Sequence, residues 1–300
     1  MKITIRQPLS YTHIGRKENQ EDQIYPLPGK ATADDRFFIL CDGMGGHEDG
    51  EIASQTVCQT IGEFFQTHPL KEGLLSKELL NEALEKAYLA LDEKDKGALR
   101  KMGTTFTFIG LHAGGCLAAH IGDSRIYHIR PGKGLLYQSA DHSLVNELLK
   151  AGEITAEEAI NHPQKNVLSR VMQPCSRRKA ETHQLSDIQS GDYFFLCSDG
   201  VLEQLTNEQL LSILSDTTLS DKEKAEKLEA VSRDKTKDNY TAYLIPIDQV
   251  EPEANDSASS ENNKLVMATA MENKKTKKEN KAKMFTGQIR DFFMSLHKKQ

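Results

Sequence analysis

The sequence predicts an α+β protein in which a sheet-based core is covered by helices. Three observations support this prediction: apolar runs of strand length recur, short glycine-containing turns join many of them, and two long amphipathic helices precede most of them. Short connections imply antiparallel pairing, because a parallel pair needs a long crossover. Strands and helices do not alternate along the chain, so a β-α-β protein is not expected.

Two long helices are predicted early in the chain, after a buried strand at 36–41. Apolar residues recur at helical spacing over 51–66 and over 77–94, so each of these helices has one apolar face. Such a face has to be covered, and we expect it to pack against a sheet.

The rest of the folded part contains shorter helices and most of the strands. The capping-box spacing of Thr155 with Glu158 and of Thr206 with Gln209 predicts helices that begin at about residues 156 and 207. The remaining strands are predicted at 104–111, 115–121, 125–130, 135–140, 193–198 and 240–247.

The composition is that of an ordinary soluble globular protein, with 38% apolar and 27% charged residues among 300. The formal net charge of −6 argues against non-specific binding to nucleic acid or to anionic membranes. The five cysteines show no C-x-x-C spacing, so neither a disulfide framework nor a zinc ribbon is predicted. Without a signal-like or membrane-spanning apolar segment, the chain is expected to stay in the cytoplasm.

The folded domain is predicted to span residues 1–247, because the composition changes there to Glu, Asn, Ser, Ala and Lys. Residues 248–273 are too polar to bury a core and are predicted to be a disordered linker. Residues 274–300 combine lysines with apolar residues on one helical face. This basic amphipathic tail is expected to dock on a partner protein or on the folded domain, with weak binding to a membrane surface as the alternative.

Two apolar runs far apart in the chain both end in Asp-Gly, at Asp42-Gly43 and at Asp199-Gly200. Either pair alone is typical of a turn. Each Asp nevertheless leaves a buried strand at a rigid edge, and the Gly lets a ligand or backbone come close. Side chains placed in this way can present oxygen ligands to a cation.

Other carboxylates also border predicted strands. They are Glu21, Asp22, Asp123 and Asp238. Oxygen donors without a matching cluster of His or Cys favour Mg²⁺ or Mn²⁺ over Zn²⁺ or Cu²⁺. Solvated surface acids need no such placement, so the sequence predicts a site for hard divalent cations.

Short motifs follow one another from about residue 14 to residue 247. They are Asn19-Gln-Glu-Asp22, Cys41-Asp-Gly-Met-Gly-Gly-His47 with Gly50-Glu-Ile-Ala-Ser54, Gly103-Thr-Thr105, Ile121-Gly-Asp-Ser-Arg125, Asp141-His-Ser143, Ser198-Asp-Gly200 and Asp238-Asn-Tyr-Thr241. In kind and order they resemble the motifs of the Mg²⁺/Mn²⁺-dependent serine/threonine protein phosphatases of type 2C, particularly the bacterial members.

This resemblance implies a four-layer α-β-β-α sandwich of two antiparallel sheets, with metals at one edge. It also implies a phosphatase acting on phosphoserine and phosphothreonine in proteins. A hydroxide bridging two Mn²⁺ or Mg²⁺ ions would attack the phosphorus in line, without a phosphoenzyme. The family's flap would correspond to about residues 143–180. Its basic residues could meet an acidic substrate or stay solvated: Arg170, Arg177, Arg178 and Lys179.

The resemblance assigns ligand roles to five residues. Asp42 corresponds to the carboxylate that bridges both metals, and Asp199 and Asp238 correspond to ligands of the first metal. These three carboxylates are the expected catalytic residues. Glu21 and the carbonyl of Gly43 match the second metal site.

Further roles surround these ligands. By resemblance, Asp22 would orient water from just outside the ligands, Asn239 would support the Asp238 loop, and Asp123 would belong to a weaker third metal site. Thr104 and Thr105 enter a strand and are β-branched, so they are expected to serve packing.

The phosphate contact departs from the family pattern. The family usually has an arginine three residues before its Asn-Glu-Asp-type motif, whereas this chain has Lys17 there and Arg16 one residue earlier. Arginine grips two phosphate oxygens with a planar fork, and lysine offers a point charge. Arg16 is therefore favoured, with Lys17 and a merely solvated pair as the alternatives.

The proton donor for the leaving group is a second departure. Met44 stands where animal-type relatives carry a histidine that resembles a general acid. His47 is the nearest candidate, although it could merely order its loop, and a metal-bound water could serve instead. The remaining histidines of interest lack ligand-like spacing and are interpreted as structural: His13, His120, His142 and His162.

Two other functions stay open. A hydrolase with the same metal chemistry could act on another phosphomonoester, and a binding module could keep the fold without activity. The intact acidic set argues against the second. The expected partners are phosphorylated proteins, including a serine/threonine kinase or its substrates, and no nucleic acid. The chain is expected to be a monomer.

Overall fold

The computed structural model describes residues 1–45, 49–97, 102–160 and 162–252. The predicted tail, most of the predicted linker and His47 lie outside these residues. Met1–Pro252 form one compact unit. Among the described residues, no helix combines the length and apolar character needed to cross a membrane.

Two antiparallel sheets occupy the centre. The strands of the first are β1 (Lys2–Ile5), β2 (Leu9–His13), β8 (Arg125–Arg130), β9 (Gly134–Gln138), β11 (Tyr193–Cys197) and β12 (Tyr240–Glu251). The strands of the second are β3 (Asp22–Tyr25), β4 (Phe37–Met44), β5 (Gly103–Thr104), β6 (Phe106–His112), β7 (Gly115–Ile121) and β10 (Glu181–Leu185). The first has the order β1-β12-β11-β8-β9, with β2 also on β12, and the second has the order β10-β7-β6-β4-β3, with β5 on β4.

The described helices are α1 (Asp49–Thr67), α2 (Lys77–Lys94), α3 (Leu144–Ala151), α4 (Ala156–Ile160), α5 (Asp199–Leu202), α6 (Asn207–Ser215) and α7 (Asp221–Ser232). Helices cover the outer faces of both sheets. The apolar faces of α1 and α2 share a core with the second sheet. Leu210 of α6 and Leu228 of α7 share another with the first sheet.

A third core lies between the sheets and completes four layers. Phe38 and Leu40 of the second sheet pack there with Phe194 and Tyr243 of the first. Side chains alternate along a strand, so Phe195, between two residues of this central core, faces the helical layer instead. The strand is apolar throughout because both of its faces are buried. The expected four-layer α-β-β-α sandwich is confirmed.

The predicted helices are present in the structure. Some strands were not predicted, because their sequences lack a clear apolar pattern. Helices begin at Ala156 and Asn207, as predicted, and both hydrogen bonds of the Thr206 capping box are present. β12 continues to Glu251 rather than residue 247, because β1 pairs with its far end. The strands β1, β2 and β10 were not predicted, since they are short and rich in polar residues.

Candidate metal and phosphate site

Strands of both sheets bring the predicted carboxylates to one edge of the sandwich. Asp42 lies near the end of β4, and Asp22 at the start of β3 is its cross-strand partner. Asp199 directly follows Ser198 at the end of β11, and Asp238 lies shortly before β12. Ser198 Oγ donates a hydrogen bond to Asp22 Oδ2 at 2.7 Å, which joins the two sheets here. We call the following residues the carboxylate cluster: Asp22, Asp42, Asp123, Asp199 and Asp238.

Members of the carboxylate cluster raise one another's pKa. Burial, followed by the charges of Asp22 and Asp199, raises the pKa of Asp42 well above its ordinary value. Burial and the charge of Asp238 raise the pKa of Asp199 to about 6. The raised pKa values reflect the cost of ionising several neighbouring acids without a compensating cation.

Asp22 is the most buried member, with 5% of its surface exposed. Burial raises its pKa to about 7, although the hydrogen bond from Ser198 acts in the opposite direction. Its second oxygen, Oδ1, is buried and has no hydrogen-bond partner among the described residues. A buried polar atom normally has a partner. A cation, or water held by one, would supply it, so the cluster of hard oxygen donors fits Mg²⁺ or Mn²⁺.

Glycines allow Glu21 to reach the same edge. Gly43 N–H donates to the Glu21 carbonyl at 3.0 Å, and a Cβ atom at Gly43 would meet that carbonyl oxygen at 2.8 Å. A Cβ at Gly50, in the first turn of α1, would lie 2.7 Å from Glu21 Cδ. The structure thus places Glu21 between the end of β4 and the start of α1, beside Gly43.

Asn239 ties the loop that carries Glu21 to the loop that carries Asp238. Its Oδ1 accepts from Glu21 N–H at 2.8 Å, while its Nδ2 donates to the carbonyls of Ile14 at 2.8 Å and Asn19 at 2.9 Å. Its own N–H donates to Asp238 Oδ1 at 2.8 Å. These contacts are of the kind expected for a residue that supports the Asp238 loop.

The structure separates the two candidate phosphate ligands. Lys17 Nζ lies 2.8 Å from Asp238 Oδ1, and the Lys17 side chain is 45% exposed. Arg16 instead directs Nη2 to the carbonyl of Asp234 at 3.0 Å. Lys17 therefore lies at the carboxylate cluster, whereas Arg16 lines a separate cavity of about 260 Å³ with His13.

Thr104 and Thr105 do more than pack, since both contact the backbone of Asp42. Thr105 Oγ1 accepts from Asp42 N–H at 2.9 Å, and Thr105 N–H donates to Asp42 O at 2.8 Å. Thr104 Oγ1 also donates to that carbonyl, at 3.0 Å. Ser124 Oγ lies 2.7 Å from Thr105 Oγ1. The Gly-Thr-Thr motif marked these residues in the sequence, but only the fold shows what the hydroxyls contact.

Asp123 lines a cavity of about 970 Å³ beside the other carboxylates. Its pKa is raised to about 7, first by burial and then by the charge of Asp199. The wall also includes Asp141, which Arg125 binds through two hydrogen bonds of 2.7 Å each. Lys165, from the predicted flap, also lines the cavity. The cavity is large enough to admit more than a phosphate group.

Arg177 in the predicted flap region is bound to α2. Its Nε lies 2.9 Å from Glu85 Oε1, and its Nη2 lies 2.6 Å from Asp92 Oδ2. The guanidinium also stacks over the Tyr88 ring. Arg177 therefore anchors the end of the flap region rather than facing an acidic substrate.

His120, His142 and Glu181 come together although their sequence spacing gave no sign of it. One possible ligand atom from each lies within 4.8 Å of the others. His142 Nδ1 accepts from Gly122 N–H at 3.1 Å, so the ring proton is on Nε2, which faces Glu181 Oε2 at 3.3 Å. Burial and His120 lower the pKa of His142 to about 4. Both nitrogens of His142 are thus occupied by hydrogen bonds, which disfavours a metal there.

A family profile and known relatives match most of the chain. The profile described as "Protein phosphatase 2C" covers residues 10–232. Protein phosphatase PhpP of Streptococcus pneumoniae is 35% identical over 220 residues, which cover 70% of this chain and 85% of the relative.

Solved structures agree with this match. The crystal structure of the serine/threonine phosphatase PstP/Ppp of Mycobacterium tuberculosis has a TM-score of 0.68 and 29% identity, covering 82% of this chain and 100% of that one. A structure of the PstP catalytic domain in complex with two manganese ions has a TM-score of 0.67 and 27% identity, covering 83% and 100%.

Proposed function

The chain belongs to the protein phosphatase 2C family, and we propose that it hydrolyses phosphoserine and phosphothreonine in proteins with two bound divalent cations. One observation carries this proposal: Asp42, Asp199 and Asp238 come from distant parts of the chain and lie together at one edge of the sandwich. A binding module that had lost activity would have no use for this costly grouping of like charges.

The residues divide between two ion positions. Asp42 would bridge both ions, Asp199 and Asp238 would hold the first, and Glu21 with the Gly43 carbonyl would hold the second. When bound, two such ions supply a hydroxide at neutral pH and offset the negative charge of the transferring phosphoryl group. Mn²⁺ is supported by the related structure that contains two manganese ions, and Mg²⁺ suits the same oxygen donors.

Other residues would orient the reactants. The free Oδ1 of Asp22 can accept a hydrogen bond from the attacking water and so direct it. The Lys17 ammonium, next to Asp238, can bind a phosphate oxygen. This chemistry needs no nucleophilic side chain, so we expect direct in-line hydrolysis. His47 as proton donor stays a prediction.

Mn²⁺-dependent hydrolysis of a phosphopeptide by the full chain tests the proposal. We expect Asp42→Asn and Asp199→Asn to lower kcat by roughly a thousandfold, because charge stabilisation of the transition state is lost. Asp34→Asn provides a matched control, since it makes the same substitution at an exposed carboxylate. Activity that survives both cluster substitutions would contradict the proposal.

The substrate could instead be a small phosphomonoester. The open cavity beside Asp123 favours a peptide, and phosphorylated proteins are therefore the proposed partners. A higher kcat/KM for phosphopeptides than for small phosphate esters would support this choice. Acid quenching during turnover would trap a covalent phosphoprotein if the attack were not direct.

A further inference from the structure

We propose that Asp141 and His142 are positioning residues that hold the turn formed by residues 122–124 and thereby set how tightly Asp123 binds an ion. This inference rests on the proposed function, because it concerns the third and weakest ion position. Neither residue is placed among the ligands themselves.

His142 and the 122–124 turn exchange two hydrogen bonds. His142 N–H donates to Gly122 O at 2.9 Å, and Gly122 N–H donates to His142 Nδ1 at 3.1 Å. Gly122 has a φ of +107°, and a Cβ atom there would meet Thr105 Cγ2 at 2.7 Å. Glycine alone tolerates this conformation and this contact. The residue before Asp123 is thus fixed from two sides.

Asp141 fixes the residues after Asp123. Its two oxygens accept from Nε and Nη2 of Arg125, a planar two-point contact that resists rotation. Ser124 is bound to Thr105 at 2.7 Å. Asp141 and His142, which are neighbours in the chain, therefore hold the two ends of the turn. The half-buried Asp123 between them lines the open cavity.

The same segment leads directly into the predicted flap. Ser143 caps α3 by accepting from Asn146 N–H at 3.3 Å, and Asn146 Nδ2 donates to the Asp141 carbonyl at 3.0 Å. The first helix of the flap is thus bonded to a residue that holds the turn. A substrate that moves α3 would act on Asp123 through this contact.

The test compares two substitutions of His142 in the full chain. In His142→Asn, Oδ1 can replace Nδ1 as the acceptor for Gly122 N–H, whereas His142→Phe fills the space without an acceptor. We expect His142→Phe to weaken binding of the weakest Mn²⁺ ion by roughly 10- to 100-fold, the usual effect of losing a residue that orients a ligand. His142→Asn should restore most of this affinity.

Electron paramagnetic resonance titration with Mn²⁺ gives the number of ions and their affinities independently of turnover. Glu181→Gln, on the other side of the His142 ring, is the control and should bind all ions as the unsubstituted chain does. If His142→Phe does not fold, Asp141→Asn carries the test, with the same expected loss at the weakest ion.

Three results would overturn the inference: unchanged affinity in the folded variants, an equal loss at every ion, or the absence of a third ion from the unsubstituted chain. In each case hydrolysis with two tightly bound ions would leave the proposed function standing. If the unsubstituted chain bound no Mn²⁺, the proposed function itself would fail.

Discussion

Asp42 is held by its backbone, so its carboxylate can stay available. Thr105 contacts both the N–H and the carbonyl of Asp42, and its hydroxyl also meets Ser124. Thr105 is 1% exposed, where hydrogen bonds are least screened by water. The threonine therefore connects the proposed bridging carboxylate to the turn that carries Asp123.

Replacing Thr105 tests this connection with little change in shape. Thr105→Val removes the hydroxyl and should cost about 1–3 kcal/mol in the free energy of unfolding, because the partner groups stay buried. It should also weaken activation by Mn²⁺. Thr107→Val is the matched control, since the buried Thr107 hydroxyl donates to Leu40 O at 3.0 Å rather than to Asp42.

Urea unfolding and the Mn²⁺ concentration for half-maximal activity give the two readouts. We expect Thr107→Val to lose comparable stability while keeping the normal Mn²⁺ requirement. Equal Mn²⁺ requirements in both variants would mean that Thr105 serves packing alone.

Lys17 and Arg16 give a second prediction for single residues. Because Lys17 lies against Asp238 and Arg16 against the Asp234 carbonyl, Lys17→Ala should raise the KM for a phosphopeptide roughly tenfold, equivalent to about 1.4 kcal/mol. Arg16→Ala should change KM much less. Steady-state kinetics at saturating Mn²⁺ decide between them, and the reverse order would restore Arg16 as the phosphate ligand.

Among the strands, those buried on both faces were the easiest to predict from the sequence. All residues of β11 are buried, so its apolar run predicted a strand. β10 lies at a sheet edge and is mostly exposed, so neither an apolar run nor alternation marked it. The helix α7 was missed although Ser220 and Glu223 form a capping box. The capping box was present in the sequence, but the helix was not predicted because its apolar residues show only weak helical spacing.

The start of α1 offers a prediction about an element. Gly50→Ala adds a methyl group that would meet Glu21 Cδ at 2.7 Å, although alanine favours the helix by about 1 kcal/mol. We expect the variant to fold but to need severalfold more Mn²⁺ for half-maximal activity, because Glu21 is displaced. Gln55→Ala, at an exposed position of the same helix, is the control. A normal Mn²⁺ requirement in Gly50→Ala would contradict the assignment of Glu21 as an ion ligand.

For the whole molecule, the carboxylate cluster makes stability depend on pH and metal together. Without metal, the folded-state pKa values are about 7 for Asp22 and Asp123 and about 6 for Asp199, above the ordinary 3.8. Between about pH 4 and pH 7, the folded chain then binds more protons than the unfolded chain. The contribution of the cluster to stability is therefore complete below about pH 4 and is lost as the pH rises through 6 and 7.

Metal should reverse this loss. At pH 8, Mn²⁺ at about 100 times its dissociation constant should add about 2.7 kcal/mol per site to the free energy of unfolding. The gain should be smaller at pH 5, because protons compete for the same oxygens. Urea unfolding at both pH values, with EDTA or Mn²⁺, measures the difference. A gain that is equal at pH 5 and pH 8 would argue against carboxylate ligands.

The site was predictable from the sequence where a strand end and a motif coincided, as at Asp42 and Asp199. Which of Lys17 and Arg16 lies against Asp238 was not predictable, since neighbouring residues in a loop can turn in opposite directions. The contact between His142 and Gly122 was likewise hidden, because twenty residues separate its members. Distances along the chain carry little information about such pairs.

The central claim is tested most directly by titrating Mn²⁺ into the full chain at pH 8, after all metal has been removed, and counting the ions that bind. Isothermal titration should give two tightly bound ions for the unsubstituted chain and for Asp34→Asn. Asp42→Asn should lose tight binding of both ions, because its carboxylate is assigned to each. Two tight ions in a folded Asp42→Asn variant would contradict the account.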